Sequence, residues 1–211
     1  MSQASLKIHG CSGRIFGFGE GSAPFRRPCP AIGSGPKRGP PMSQLTIRSP
    51  ETDSDHAAVR GLCRDYRALL DARWPDFPQF LQRYYSEQKF EDLLARLPEL
   101  HKAPEGAIFV ADLGGAVVGC GMTHKIADGV CEIKRVFVSD AARGHGAGRK
   151  LCEAAMERAR ADGYGRMVLD TTTRLTEAIA LYEKLGFAPI APFYDPPEDF
   201  AENLLFFGRD L

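Results

Sequence analysis

Two glycine turns fix the middle of this chain. Gly114-Gly115 separates the apolar runs 107–113 and 116–123, and Asp128-Gly129 leads directly into Val130–Val138. Such pairs supply the positive φ that two-residue hairpin turns require. Three extended segments joined by tight turns must pair as an antiparallel meander. An all-parallel sheet and an all-helical bundle are both excluded.

The flanking rhythm supplies the remaining elements. A short strand is predicted at Leu45–Arg48. Asp53 and Asp55 offer N-caps to a helix with apolar residues at 57, 58, 62, 66, 69 and 70, and Trp74-Pro75 and Phe77-Pro78 break it. A second helical region is predicted from about Phe80 to Leu97, stopped by Pro98. Beyond the meander, helices are predicted at 146–162 and 175–185, ended by Gly163 and Gly186, and strands at 166–169, 187–191 and 203–209. The order β-α-α-β-β-β-α-β-α-β-β specifies one mixed α+β domain.

Charge is balanced, with 27 basic and 27 acidic residues in 211, but unevenly placed. Residues 1–41 carry +5 and 42–211 carry −5, so the main part is a poor nucleic-acid binder. Residues 1–41 also hold eight Gly and six Pro without periodic apolar residues, which predicts a disordered extension, with the folded domain spanning 42–211. The longest run of apolar residues and glycine, 113–122, is far too short for a membrane-spanning helix. Cys11, Cys29, Cys63, Cys120, Cys131 and Cys152 form no C-x-x-C pair, so no zinc site is expected. Buried, reduced thiols in a cytoplasmic setting are the expectation.

Chemistry concentrates in V-F-V-S-D-A-A-R-G-H-G-A-G-R-K-L, residues 136–151. A strand ends there and a glycine-rich loop opens into a helix. Gly144, Gly146 and Gly148 let a ligand approach the backbone, while the first helical turn offers free N–H groups and a positive dipole end. This predicts an anion site. A P-loop does not fit, because Arg149 intrudes and Leu151 stands where a hydroxyl is needed. A dinucleotide fingerprint fails as well, with Arg149 at its third glycine.

The pattern that fits is Arg-x-x-Gly-x-Gly, at Arg143, Gly146 and Gly148. It resembles the acyl-CoA pyrophosphate loop of the GNAT superfamily of N-acetyltransferases. The run E-I-K-R-V-F-V at 132–138 looks like the strand before that loop, and A-I-A-L-Y-E-K-L-G-F at 178–187 resembles the second family signature. The resemblance covers roughly 42–211. It implies a single-layer, mostly antiparallel sheet that splays open, flanked by helices on both faces, with acetyl-CoA in the gap between the fourth and fifth strands. The backbone of Val136, Phe137 and Val138 is then expected to bond the pantetheine arm and to meet the oxyanion. Backbone N–H groups from Arg143 through Gly144, His145, Gly146, Ala147 and Gly148 are expected to hold the pyrophosphate. Leu175 departs from the family, which often places a cofactor-contacting Asn there.

Two residues are read as catalytic under this resemblance. Tyr182 is the candidate acid for the departing thiolate, the alternative being a core tyrosine bonded to a carbonyl. Glu132 is the candidate base for the acceptor ammonium, the alternative being a strand charge paired with Lys134. His145 reads as an exposed bystander; His56, His101 and His124 lack metal-like spacing. Trp74, Phe77, Phe80, Tyr84, Tyr85 and Phe90 read as core aromatics or, since the resemblance puts this helical region beside the acceptor site, as rings of which some shape the substrate pocket. The rigid loop Tyr194-Asp195-Pro196-Pro197 is a second candidate for that role. The function expected is acetyl transfer from acetyl-CoA to a small-molecule or peptide primary amine. No metal, nucleic acid or membrane is called for, and a homodimer through the last strand stays open. A non-catalytic acyl-CoA sensor and an unrelated nucleotide-binding protein are the competing readings.

Overall fold

A computed structural model describes residues 44–76, 86–142 and 144–211. The expected extension at 1–41, the aromatic residues Phe77, Phe80, Tyr84 and Tyr85, and Arg143 lie outside these residues. In chain order the elements are β1 (Leu45–Arg48), α1 (Asp53–Arg73), α2 (Glu87–Ala95), α3 (Leu97–Leu100), β2 (Gly106–Leu113), β3 (Ala116–Ala127), β4 (Val130–Val138), α4 (Ala147–Ala161), β5 (Arg166–Thr172), α5 (Thr176–Lys184), β6 (Ala188–Pro189) and β7 (Leu204–Asp210). The strands form one sheet in the order β1-β2-β3-β4-β5-β7-β6. Every neighbouring pair is antiparallel except β4–β5.

Strand alternation feeds two cores. On β2, Phe109 and Ala111 pack with Leu151, Ala155 and Met156 of α4, whereas Ile108 and Val110 pack with Val59 and Leu62 of α1 and Phe90 and Leu94 of α2. The sheet therefore carries helices on both faces, as expected. Cys63, Cys120, Cys131 and Cys152 are buried free thiols.

Three local expectations are corrected. Thr52, not Asp53 or Asp55, caps α1: its hydroxyl accepts from the Asp55 N–H, and the Asp55 carboxylate accepts from the Thr52 N–H at 3.1 Å. Asp55 is drawn into that box by Arg48, which binds Asp55 at 2.8 Å and Asp112 at 2.9 Å, and the guanidinium holds the Asp55 carboxyl well below the usual range. Pro98 does not stop the second helix; α2 ends at Ala95 and Pro98 sits in the first turn of α3, where a missing N–H costs nothing. The strand expected at 187–191 contracts to Ala188–Pro189.

Two irregularities shape the sheet centre. β4 and β5 share only three rungs, ending at Glu132–Val168, so from Ile133 onward β4 has no partner on β5. Between the Cys120–Phe137 and Met122–Lys134 pairs, β4 spends three steps where β3 spends two. This bulge contains Arg135, whose φ of 51° is the one positive value at a non-glycine among the described residues.

Candidate active site

The loop before α4 has the backbone an anion site needs. Gly144 and Gly146 have φ of 79° and 70°, and a Cβ built on either meets nothing within 4 Å. Gly146 is the N-cap of α4, and no side chain caps the helix. The first turn contains no acidic residue. His145 is exposed, and its N–H is used within the loop, bonding the Ala142 carbonyl at 3.3 Å. Ala147 is buried, and Gly148 lies where a Cβ would touch Leu181 at 3.4 Å, letting α4 and α5 approach.

Where β4 and β5 part, a cavity of about 460 Å³ opens. Its wall includes Ile133 to Val136 of β4, Asp170 to Thr172 of β5, and Leu175, Ala178 and Tyr182 at α5. Cys63, Tyr66, Arg67 and Leu70 of α1 line it from the other side, with Phe90, Tyr194 and Phe200. The volume suits one small-molecule site. Thr172 Oγ1, on this wall, is buried with no hydrogen-bond partner among the described residues.

Tyr182 reaches the cavity because of how α5 ends. Gly186, at φ 80°, lets the Phe187 N–H return to the Tyr182 carbonyl and its own N–H to that of Glu183, a Schellman closure. Phe187 then packs edge-on against the Tyr182 ring at 5.9 Å. The side chain is 7% exposed, and burial pushes the phenol well above its usual range. Among the described residues nothing hydrogen-bonds its hydroxyl, so the carbonyl partner of the core-tyrosine alternative is absent there.

The two carboxyls near the splay differ. Glu132 stands on the last paired rung and does not line the cavity. Its carboxylate accepts from His124 Nε2 at 2.8 Å and from Lys134 Nζ at 2.5 Å. Burial pushes this carboxyl up, but the hydrogen bond from His124 and the charge and hydrogen bond of Lys134 outweigh that and hold it below its usual value. Asp170 does line the cavity and is the one acidic residue among the described lining. Burial is the main cause that raises its pKa, with Glu132 adding to it, against the lowering effects of Lys134 and of the Tyr194 hydroxyl. Sequence reasoning passed over Asp170; its signal was a carboxylate inside the apolar strand V-L-D-T-T.

The decisive match lies in the sequence family. The family described as Acetyltransferase (GNAT) matches residues 66–187, more than half of the chain. The chain belongs to the GNAT family. An uncharacterized N-acetyltransferase of Schizosaccharomyces pombe is 34% identical over 58% of this chain and 80% of its own length. The uncharacterized N-acetyltransferase YjgM of Escherichia coli is 42% identical over 46% of this chain and 60% of its own length, so only part of that relative is spanned. The yncA protein of Salmonella typhimurium, solved with its cofactor acetyl-CoA, shares the fold at a TM-score of 0.55 and 22% identity, over 79% of this chain and 93% of that one.

The chain is thus a GNAT-type acyltransferase, and its splayed β4–β5 gap is the fold feature the family resemblance implied. Val136, Phe137 and Val138 lie on the stretch of β4 that has no partner on β5. Leu175 is buried on the cavity wall, so an apolar side chain occupies the place where an amide was considered. Among the described residues no group of three metal-ligating side chains is found, and no helix is long and apolar enough to cross a membrane.

Proposed function

We propose that this enzyme transfers the acetyl group of acetyl-CoA to a primary amine by direct attack, within the cavity between β4 and β5. The single observation that carries this reading is that Asp170 and Tyr182 face one cavity at the mouth of the splayed strands. Acetyl-CoA supplies the activated carbonyl. The residues present fit it: the uncapped N-terminus of α4 and the open space at Gly144 and Gly146 suit a pyrophosphate, and the unpaired edge of β4 suits a pantetheine arm.

The chain's own groups then divide the work. The acceptor enters as an ammonium and gives one proton to Asp170, whose raised pKa makes it a better base near neutrality than an ordinary carboxylate. Glu132, held by His124 and Lys134, acts as the fixed charge beside it rather than as the base. Tyr182 keeps its phenolic proton at neutral pH and delivers it to the departing thiolate, and the second amine proton restores the phenol. Arg143, outside the described residues, is proposed for the pyrophosphate with the backbone of Gly144 and of Gly146 to Gly148, the His145 N–H being engaged by Ala142. The test is thiol release from acetyl-CoA across a panel of amines. Release with any amine, lost in both Asp170→Asn and Tyr182→Phe while acetyl-CoA still binds, supports the reading; undiminished release in both variants refutes these roles.

A further inference from the structure

The cavity holds more positive charge than its one acid can match. Arg67, Lys134 and Arg135 line it against Asp170 alone. Two of these cations are already engaged. Lys134 pairs with Glu132 at 2.5 Å. Arg67 lies over the Phe90 ring at 4.8 Å and adds to the effect of Arg64, whose hydrogen bond lowers the Glu91 carboxyl. Arg135 is different. Its one side-chain partner among the described residues is the thioether of the fully buried Met122, at 3.8 Å.

A half-buried guanidinium without an anion is expensive, because a desolvated charge needs a partner. The backbone also departs from strand geometry at this residue: the bulge puts Arg135 at φ 51° and places four consecutive β4 residues, Ile133 to Val136, on the cavity wall, where plain alternation would offer every second one. Strain, charge and position meet in one side chain that no step above uses. The orphaned Thr172 hydroxyl on the same wall offers a further hydrogen bond.

We infer that the acceptor is a small amine that also carries a carboxylate, an amino acid or close analogue, with Arg135 receiving the carboxylate while Asp170 receives the ammonium. This rests on the acetyl-transfer reading and narrows it. Polyamines are disfavoured, since a second ammonium would meet Arg135, Arg67 and Lys134.

The experiment compares matched pairs, free amino acids against their carboxamides, with spermidine as the polycation, in a thiol-release assay with acetyl-CoA. Expected is at least a tenfold higher kcat/KM for the acids than for the amides. Arg135→Asn, chosen because Asn tolerates positive φ, should collapse that ratio toward one by raising KM, and Arg135→Lys should restore part of it. Equal or better use of the amides or of spermidine, or a ratio unchanged in Arg135→Asn, overturns the inference and leaves acetyl transfer standing. If no amine is acetylated, the acetyl-transfer reading falls, and binding decides the inference: with CoA present, acids must raise the melting temperature more than amides do, and no such difference overturns it.

Discussion

Lys134 Nζ sits 2.5 Å from Glu132 Oε1, two residues along the same strand, and that ion pair ties up Glu132 while Asp170 alone lines the cavity. A carboxylate clasped by Lys134 and His124 is stabilised as the anion and has little drive to take a proton. Asp170 has the opposite environment. Asp170→Asn should lower kcat about 10²–10⁴-fold with acetyl-CoA affinity little changed, read from steady-state kinetics beside a direct cofactor titration.

The same pair sets a pH dependence. With Asp170 as the proposed base, activity would need it ionised, so kcat/KM should fall as pH drops through its raised pKa. Glu132→Gln removes the neighbouring negative charge that pushes Asp170 up and frees Lys134 to pull it down. The acid limb of the profile should therefore move to lower pH. A limb that stays in place, or moves up, would separate the two carboxyls and return the base role to open question.

Gly146 tests the proposed cofactor loop. Its φ of 70° at the α4 N-cap is a conformation a β-branched residue adopts only under strain, although a Cβ there would meet nothing within 4 Å. Gly146→Val should therefore cost roughly 1–2 kcal/mol of stability and abolish acetyl-CoA binding, because the new side chain projects into the space left for the pyrophosphate. Melting temperature and a cofactor titration check both halves; intact cofactor affinity in a folded variant would remove this loop from the site.

What was readable in the sequence was what local chemistry dictates. Gly114-Gly115 and Asp128-Gly129 make their turns whatever surrounds them, and Gly186 closes α5 through bonds to its own helix. The cap of α1 was not readable in this way. Thr52, Asp53, Ser54 and Asp55 all suit an N-cap, and the choice is made by Arg48 and Asp112 drawing Asp55 into their ion pairs from β1 and β2. The site divides similarly. The glycine loop and Tyr182 lie in contiguous motifs, whereas Asp170 gains its character from Glu132, Lys134 and Tyr194 on separate segments. The bulge at Arg135 left one trace, since the adjacent charges Lys134 and Arg135 interrupt the period-two alternation that Cys131, Glu132, Ile133 and Lys134 keep.

Tyr182 can be tested with little structural disturbance. Phe keeps the ring that packs on Phe187, and no described residue loses a hydrogen bond when the hydroxyl is removed. Tyr182→Phe should leave the melting temperature nearly unchanged and lower kcat about 10²–10⁴-fold. Full turnover with a lowered melting temperature would move the residue from the chemistry to the scaffold.

Stability, too, should depend on pH through one buried histidine. His101 is 4% exposed, stacks on His124 with ring centres 5.7 Å apart, and donates from Nδ1 to the Thr123 carbonyl at 2.9 Å. Burial pushes its pKa down to about 4, against the opposing effect of that carbonyl. An unfolded histidine titrates near 6.5. Between these values the unfolded chain binds a proton that the folded chain refuses, so stability is full above about pH 6.5 and is lost as pH falls toward 4. The slope from this one site is at most about 1.4 kcal/mol per pH unit. His101→Asn keeps an N–H for the Thr123 carbonyl and removes the titration. Urea midpoints at pH 7, 5.5 and 4.5 should therefore fall less steeply for the variant than for the parent, and the difference between the two curves cancels the shared loss from acids such as Asp55. Parallel curves would mean that His101 is protonated in the folded state and that its burial is relieved at low pH.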